Sequence, residues 1–541
     1  MPVKIYNDFS GGEYGDLPPH QVPSNMWSGL NMMVYRSGEL GPRPGIKYIG
    51  QFIEASSIHG AGFMGSPQSS HWVAANYAPS FSAPIEPIIK FFNLISGDWD
   101  GTRDGNVPIS TPDFLGNALG VEVDPEETYI LNATGFLARY QNNSGGIPNT
   151  ALVTSLTGTV TPGHAMTKYQ ERLYVSSGNR VYYSSPGTPF TFAPTTDWFD
   201  VGHGPEVRWM GWQRDSLLII TQDSAIWEYR GVPGRDNLRR VYGGTRHPWH
   251  FQPGRAILTP ADQLVFVPVD RDYPAFYSSG QITELKHLKV LGGLQSNNPS
   301  DVVMAVLDED DELMIRFSQP HPTTGLERAT VLKNGSWCFF EFDPDPDNVL
   351  FPGTPEMAPY ISSDRQRRMH MYFRTQFVGG ASALATIYRW ETAAYDMELD
   401  RPGFVSDTLA SPGDADNTPV NAFFKLPESW TEDGNELVID RIVVDFRKWN
   451  TGATETNHFD VSVLPLSRNN TGEATAKTYV PFDEPTSSGS TTGRRDRHVA
   501  FPTDASRAPS AGFQVQLTNI RGCSIQQIRV EYTEIGRTPR G

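Results

Sequence analysis

Between Ile58 and Glu391 the chain runs in short apolar and aromatic pieces that come in pairs, and this pairing limits the folds open to it. Leu173–Val175 is matched by Val181–Tyr183, Leu217–Thr221 by Ala225–Tyr229, and Leu264–Val267 by Ala275–Tyr277. Further along, Val302–Leu307 is matched by Glu312–Phe317, Thr330–Leu332 by Trp337–Phe342, and Met369–Phe373 by Thr386–Trp390. Turn residues such as Ser177-Gly178-Asn179-Arg180, Gln222-Asp223-Ser224 and Asn334-Gly335-Ser336 sit inside the pairs, so each reads as a β-hairpin. The onsets at Leu173, Leu217, Leu264 and Met304 fall about forty to fifty residues apart, the repeat length of a four-stranded propeller blade. The spacing predicts an all-β fold whose body, residues 51–395, is a β-propeller of roughly six or seven blades. A pair of β-sandwiches is the competing arrangement; it would place strands every ~8–12 residues without a blade period.

Composition agrees with many strands and turns. Charged residues are only 19% of the chain, hydrophobic ones 38%, and there are 50 Gly and 43 Pro. From 396 to 420 the run Arg401-Pro402-Gly403 and then Ser411 to Asn417 reads as a linker or exposed loop. Beyond it, residues 421–541 carry alternating strand patterns at Leu437–Phe446, Phe459–Leu464, Phe513–Leu517 and Ile525–Tyr532, which predict a β-sandwich-like C-terminal domain. A Ser/Thr/Gly/Arg-rich insert, Thr486–Arg497, divides it.

Residues 1–50 have a different character. Gly11-Gly12, Pro18-Pro19, Ser37-Gly38 and the Gly41-Pro42-Arg43-Pro44-Gly45 run leave no room for an amphipathic helix. They predict an irregular, extended arm that is held by apolar plugs (Phe9, Leu17, Trp27, Leu30, Met33, Tyr35) and must borrow surface from elsewhere in the chain or from a neighbouring subunit. Phe9, Gly11, Gly12, Glu13, Asn31, Gly38, Leu40, Arg43, Pro44 and Gly45 stand here in an order that resembles the N-terminal signature of the tail nozzle (tail tubular B type) proteins of short-tailed, podovirus-type bacteriophages. The hairpin Glu171–Gly187 is similar to one found in phage tail proteins of the propeller type, and Gly512–Leu517 with Ile528–Tyr532 looks like the closing strands of the nozzle family.

The chain's net charge is −17, from 44 basic and 61 acidic residues. Tight wrapping of a nucleic-acid backbone needs Lys and Arg, so that class is excluded, whereas a wall past which duplex DNA slides is better acidic or neutral. No run reaches the ~18 apolar residues of a membrane span, and Met1-Pro2-Val3-Lys4 lacks the apolar core of a secretory signal; neither membrane anchoring nor export is expected. Cys338 and Cys523 are far apart and have no C-x-x-C partner, which suits a reducing cytoplasm.

No residue is singled out as catalytic, cofactor-binding or metal-ligating. Asp308-Glu309-Asp310-Asp311-Glu312 lacks the glycine and distal glutamate of a calcium loop and reads as a solvated hairpin tip. Asp343-Pro344-Asp345-Pro346-Asp347 reads as a stiff acidic loop, and Arg365-Gln366-Arg367-Arg368 as a salt-bridging edge. His247 and His250, the one close histidine pair, bracket Pro248 and Trp249 and read as packing. The aromatics Trp198, Trp209, Trp212, Trp227, Tyr242, Trp249 and Phe251 mostly fill space between blades, with a glycan-stacking platform as the lesser reading. There is no Walker loop, G-x-S-x-G or G-x-G-x-x-G.

What the resemblance implies is a virion structural protein and not an enzyme. It would be made in the host bacterial cytoplasm and would act in the tail of the virion. The family forms a homo-oligomeric, usually hexameric, ring below the portal-proximal adaptor ring proteins, in contact with tail fibre, spike or needle proteins. The ring retains genomic dsDNA and then conducts it during ejection, without sequence-specific binding. The alternative is a carbohydrate-binding or glycan-hydrolysing propeller, which needs two carboxylates at glycosidase spacing in one pocket. A receptor-binding fibre or spike would require repetitive β-helical or coiled segments, which this sequence does not contain.

Overall fold

A computed structural model describes residues 2–13, 22–35, 38–43, 165–231, 237–245, 250–251, 255–259, 263–271, 273–278, 280–285, 336–338, 422–431, 435–448, 458–467, 476–483, 495–503 and 509–536, together with the backbone of the other strands assigned between 46 and 419. Apart from 3-10 turns at Asn237 and Arg255, the regular structure in this set is strand. The chain divides into two compact units: Tyr48–Glu327 with Pro346–Arg389, and Met1–Lys47 with Arg328–Asp345 and Trp390–Gly541.

The first unit is the propeller. Four antiparallel sheets of four strands in chain order occupy residues 57–99, 121–155, 207–242 and 256–284, and a five-stranded sheet occupies 166–200, in which Trp198–Asp200 also pairs with Arg180–Ser185. The hairpin of Val302–Val306 and Leu313–Phe317 follows, and then a sheet of Ile361–Ser363, His370–Val378 and Ser382–Trp390. The first strand of each group touches the first strand of the next, and Ile361–Ser363 returns to Ser57–Gly65, so seven blades close a ring around an axis. Ile46–Phe52 is the fourth strand of the last blade. The boundary at residue 50 read from the sequence therefore falls inside a strand. Pairing an early strand with late ones ties the ring shut, as closure without a free edge requires.

The strand Ser216–Thr221 shows what holds neighbouring blades together. All six residues are buried. Because side chains alternate across a strand, Leu217 and Ile219 join Tyr169, Tyr174, Phe199 and Tyr229 toward the preceding blade, while Leu218 and Ile220 join Phe251, Leu264, Phe266 and Tyr277 toward the following one. Burying each such Leu or Ile contributes about 1.5–3 kcal/mol before entropy is counted. Phe199 and Tyr229 stack at 4.5 Å between centroids, within 4° of parallel. The hairpins run where the turn chemistry placed them: Ser177 pairs with Arg180 around Gly178, whose φ of +56° suits a tight turn.

The second unit is a sandwich. One sheet runs Met32–Val34, Leu40–Pro42, Cys523–Ile535, Glu436–Lys448, Arg495–Ala500, and Val3–Tyr6 adds to Cys523–Ile535. The other runs Gly12–Glu13, Met26–Leu30, Phe423–Lys425, Gly512–Arg521, His458–Leu466, Lys477–Asp483, with Ser429–Trp430 on Gly512–Arg521. Burial alternates along Glu436–Lys448 and His458–Leu466, and their inner faces meet: Phe446 lies 5.1 Å from Phe459 and 4.6 Å from Phe482. Arg495–Arg497, placed in the insert by composition, begins a strand, and the 396–420 stretch contains a short pair, Ser406–Thr408 with Asn417–Pro419.

The arm is thus woven into both sheets of the sandwich. Phe9, Trp27, Met33 and Tyr35 are buried as plugs, joined by Tyr6, Met32, Val34 and Leu40; Leu30 is half-buried, and Leu17, Pro44 and Gly45 lie outside the described residues. Ser336 Oγ donates to Ser10 O at 2.6 Å, and Gly12 has φ +75° with its backbone against Trp337, where a Cβ would lie 2.8 Å from Trp337 N. Asn31, at φ 58°, accepts from Arg43 twice, through Oδ1 at 3.0 Å from Nε and through its carbonyl at 2.8 Å from the backbone N. Glu39, 3% exposed, accepts from Gln526 Nε2 at 2.6 Å, from Arg447 at 2.8 Å and from Ser524 Oγ.

Candidate functional site

In the propeller, three features fall at the same axial end of the fourth blade: the start of its innermost strand Val207–Gln213, the turn after Ser216–Thr221, and the crossing to the next blade. The register explains this, because Val207 faces Thr221 and Ile226 faces Tyr242. Backbone bonds fix the loops together, from Gln222 N to Glu206 O at 2.7 Å and from Phe251 N to Gln222 O at 2.9 Å. Four polar side chains meet there. Arg208 reaches Glu206 Oε2 at 2.8 Å and His250 Nδ1 at 3.4 Å, and Gln222 Nε2 is 2.8 Å from His250 Nε2.

A neutral imidazole has one donor and one acceptor nitrogen. Arg208 can only donate, so His250 Nδ1 accepts and Nε2 carries the proton; the Gln222 amide then turns its oxygen toward Nε2. Arg208 is 8% exposed, and burial pulls its pKa below the ordinary guanidinium value, with the Glu206 carboxylate opposing that shift. A guanidinium keeps its charge even so. Its Nε is buried without a hydrogen-bond partner. The cluster can therefore hold an anionic or carbonyl oxygen; among the described residues no nucleophilic side chain is bonded to His250.

At the opposite end of the same innermost strand, Trp212 is 50% exposed, and its ring lies 6.3 Å from that of Tyr169, whose hydroxyl donates to Asp215 O at 2.7 Å. The other described aromatics singled out in the sequence fill the body of the propeller. Trp198 lies under the Arg180 guanidinium at 3.6 Å, Trp227 and Trp209 pack on the two inter-blade clusters, Phe251 is fully buried, and Tyr242 meets Phe266 edge-on at 5.5 Å.

Asp308–Glu312, Asp343–Asp347, Arg365–Arg368 and His247–Trp249 lie outside the described residues. Among the described residues no group of three or more His, Cys, Asp or Glu could hold a metal ion, and Cys338 and Cys523 are buried free thiols. Sequence reading missed the Glu206–Arg208–Gln222–His250 cluster because its members come from separate loops with no motif spacing. One signal was present: Arg208 and Arg255, both buried, stand near the starts of innermost strands in successive blades.

No known family profile matches the chain, and no curated protein matches it. Solved structures do. A chain of the mitotic checkpoint complex is 11% identical over 62% of this chain and 92% of its own, with a TM-score of 0.39. Virginiamycin B lyase from Staphylococcus aureus is 12% identical over 62% and 98%, with a TM-score of 0.39. The Cps50 (Swd1) β-propeller domain of Myceliophteria thermophila is 8% identical over 64% and 99%, with a TM-score of 0.40. Likeness at this level concerns fold alone. The seven-bladed assignment rests on the strand pairing described above.

Proposed function

We propose that this chain is a structural protein of a bacteriophage tail, the nozzle of a short-tailed phage. In this reading its copies form a hexameric ring below the adaptor ring and beside tail fibre, spike or needle proteins. The ring encloses the channel that first retains and then conducts genomic dsDNA, and its work is geometric and electrostatic, not catalytic. The observation that carries the reading is the use made of the N-terminal signature. Phe9, Leu40 and Arg43 are buried in the sandwich, Asn31 and Gly38 supply positive-φ turns, and Gly12 passes against Trp337 with no space for a side chain. A signature that is consumed in seating an arm is a mark of shared scaffold, and it supports carrying the family's architecture to this chain. The net charge of −17 fits a channel from which phosphates are kept from adhering.

The test is negative-stain electron microscopy of the purified full chain at high concentration, alone and with a cognate adaptor ring. Rings with a central hole wide enough for duplex DNA are expected. Single discs under both conditions, together with glycan binding that is lost in Trp212→Ala, would replace the nozzle by the carbohydrate-binding reading.

A further inference from the structure

The arm is not held evenly along its length. From Phe9 onward it is locked in: Phe9 and Trp27 are 1% and 0% exposed, Trp27 Nε1 donates to Phe9 O at 3.3 Å, and Met32–Val34 and Leu40–Pro42 are buried at every residue. The strand before it, Val3–Tyr6, is buried at Tyr6 alone. Its ladder sets Val3 opposite Glu531, Lys4 opposite Val530, Ile5 opposite Arg529 and Tyr6 opposite Ile528, and among the described strands it pairs on that side only. Tyr6 is its one plug, with the hydroxyl 2.6 Å from Ser429 Oγ. Val3 (45%) and Ile5 (48%) stay half in solvent, two of the seven strongly exposed large apolar side chains among the described residues.

This segment is a strap, seated by backbone bonds and a single side chain. Lifting it uncovers the strand edge at Ile528–Glu531 and the seat of Tyr6 beside Ser429. A sheet edge is a template for any strand that fits it, and backbone bonds do not distinguish one chain from another. The hinge is short: Asn7 and Asp8, both exposed, are all that separates the strand from Phe9, and their turn is pinned by Asp8 Oδ1, which accepts from Ser10 N at 2.9 Å. Released from its edge, Pro2–Asp8 extends about 23 Å from the Phe9 anchor, a span that reaches an adjacent chain.

We propose that Val3–Tyr6 is an exchangeable strand, which on self-assembly leaves its own Cys523–Ile535 and pairs with Cys523–Ile535 of a second copy in the register seen within one chain. Two observations select that occupant. The edge already takes this sequence over four residues, with a tyrosine where Ser429 waits, and a second copy carries the same four residues. Val3 and Ile5, half-exposed in their own chain, come to lie at the seam between two chains, where apolar groups are covered. Because the strap makes the same bonds in either arrangement, its seating energy cancels. The balance is set by strain in the hinge and by the concentration of the second copy, the conditions under which short-hinged elements swap. The inference goes beyond the nozzle reading and does not require it, although a strand passed from each copy to the next is a contact that a ring can repeat.

The experiment is disulfide trapping in the full chain. Residues directly opposed on antiparallel strands lie about 4.5–5.5 Å apart at Cα, within disulfide reach. Ile5→Cys and Arg529→Cys are made together in one chain, and singly in chains that carry different tags. In a glutathione redox buffer the double variant is expected to form the bridge between positions 5 and 529; its absence would overturn the register and the inference with it. The single variants, mixed while reduced and then oxidised, can form that bridge only between chains. Peptide mapping is expected to find it, with a fractional yield that rises about tenfold per tenfold in concentration while exchanged pairs are rare. Lys4→Cys, on the opposite face of the strand, should bridge to Arg529→Cys at least about tenfold less. Equal yields from positions 4 and 5 would mark random collision and overturn the exchange. A bridge within the double variant but none between tags would also overturn it, and would leave the nozzle reading standing, since rings are scored separately by electron microscopy.

Discussion

Replacing Glu39 by Gln should destabilise the sandwich and leave the propeller untouched. The carboxylate is 3% exposed and closes the arm onto the C-terminal strands, with Oε1 taking Arg447 and Gln526 and Oε2 taking Ser524. The amide of Gln keeps one acceptor but turns an N–H toward groups that also donate, and it leaves the Arg447 guanidinium, 20% exposed, without its counter-charge. Removing one member of a buried ion pair costs about 3–5 kcal/mol, and the loss should lie near the lower figure because one hydrogen bond survives. For a domain of about 150–250 residues each kcal/mol moves Tm by about 2–4 °C, so the sandwich transition should fall by ~6–12 °C. Differential scanning calorimetry reads this directly, since two compact units should melt separately. A double-mutant cycle with Arg447→Met isolates the pair from the rest of the network. A shift under ~2 °C, or equal movement of both transitions, would refute the view that Glu39 locks the arm in place.

Three further outcomes are expected. Gly12→Ala should cost the sandwich about 1–3 kcal/mol, because an alanine there must adopt φ +75° and meets Trp337 N at 2.8 Å; chemical denaturation followed by tryptophan fluorescence measures it. Ile219→Ala should lower only the propeller transition, by about 2–5 kcal/mol, through the cavity it opens between the third and fourth blades. Burial raises the pKa of Tyr6 from 10.0 to about 12, so its neutral form stabilises the fold fully below pH 10 and that contribution is lost as pH rises toward 12. Tyr6→Phe should flatten the sandwich's loss of stability between pH 10 and 12 and cost about 1 kcal/mol at neutral pH, where the 2.6 Å bond to Ser429 is lost. An unchanged alkaline profile in that variant would remove Tyr6 as the titrating group.

The propeller was legible because its information is local. Gly178 and Asn179 between two aromatic runs specify a hairpin by themselves, and repetition at a blade period specifies the architecture. The C-terminal strands were legible for the same reason, since alternation at Leu437–Phe446 survives two bulges, one between Ile439 and Arg441 and one between Asp445 and Phe446. The partners of the arm were not legible. Phe9 and Trp27 announce that they need a core, but which sheet edge supplies it depends on strands more than 400 residues away, as the pairing of Ile5 with Arg529 shows. Glu39, in a run of turn residues, looks solvated until Arg447, Ser524 and Gln526 are brought to it. The Arg208–His250 cluster was hidden similarly, because its members lie near one another only once two blades are stacked.

Both units share one property with a consequence for folding. The sandwich joins residues 3–6 to 528–531, and the last propeller blade takes its fourth strand from residues 46–52 and its neighbour from 382–390. The propeller cannot close until residue 390 has been made, nor the sandwich until nearly the whole chain has, and loop closure over such spans must precede the contacts that reward it. Until then the edges of Ile46–Phe52 and Val3–Tyr6 lack their partners, and open strand edges invite pairing with other chains. Pro and Gly throughout the arm reduce that hazard, because a segment that cannot pair continuously with itself or with a neighbour stays available for its own late-forming sites. The breaks that make the arm look irregular in sequence are on this account what allows it to wait for the sandwich.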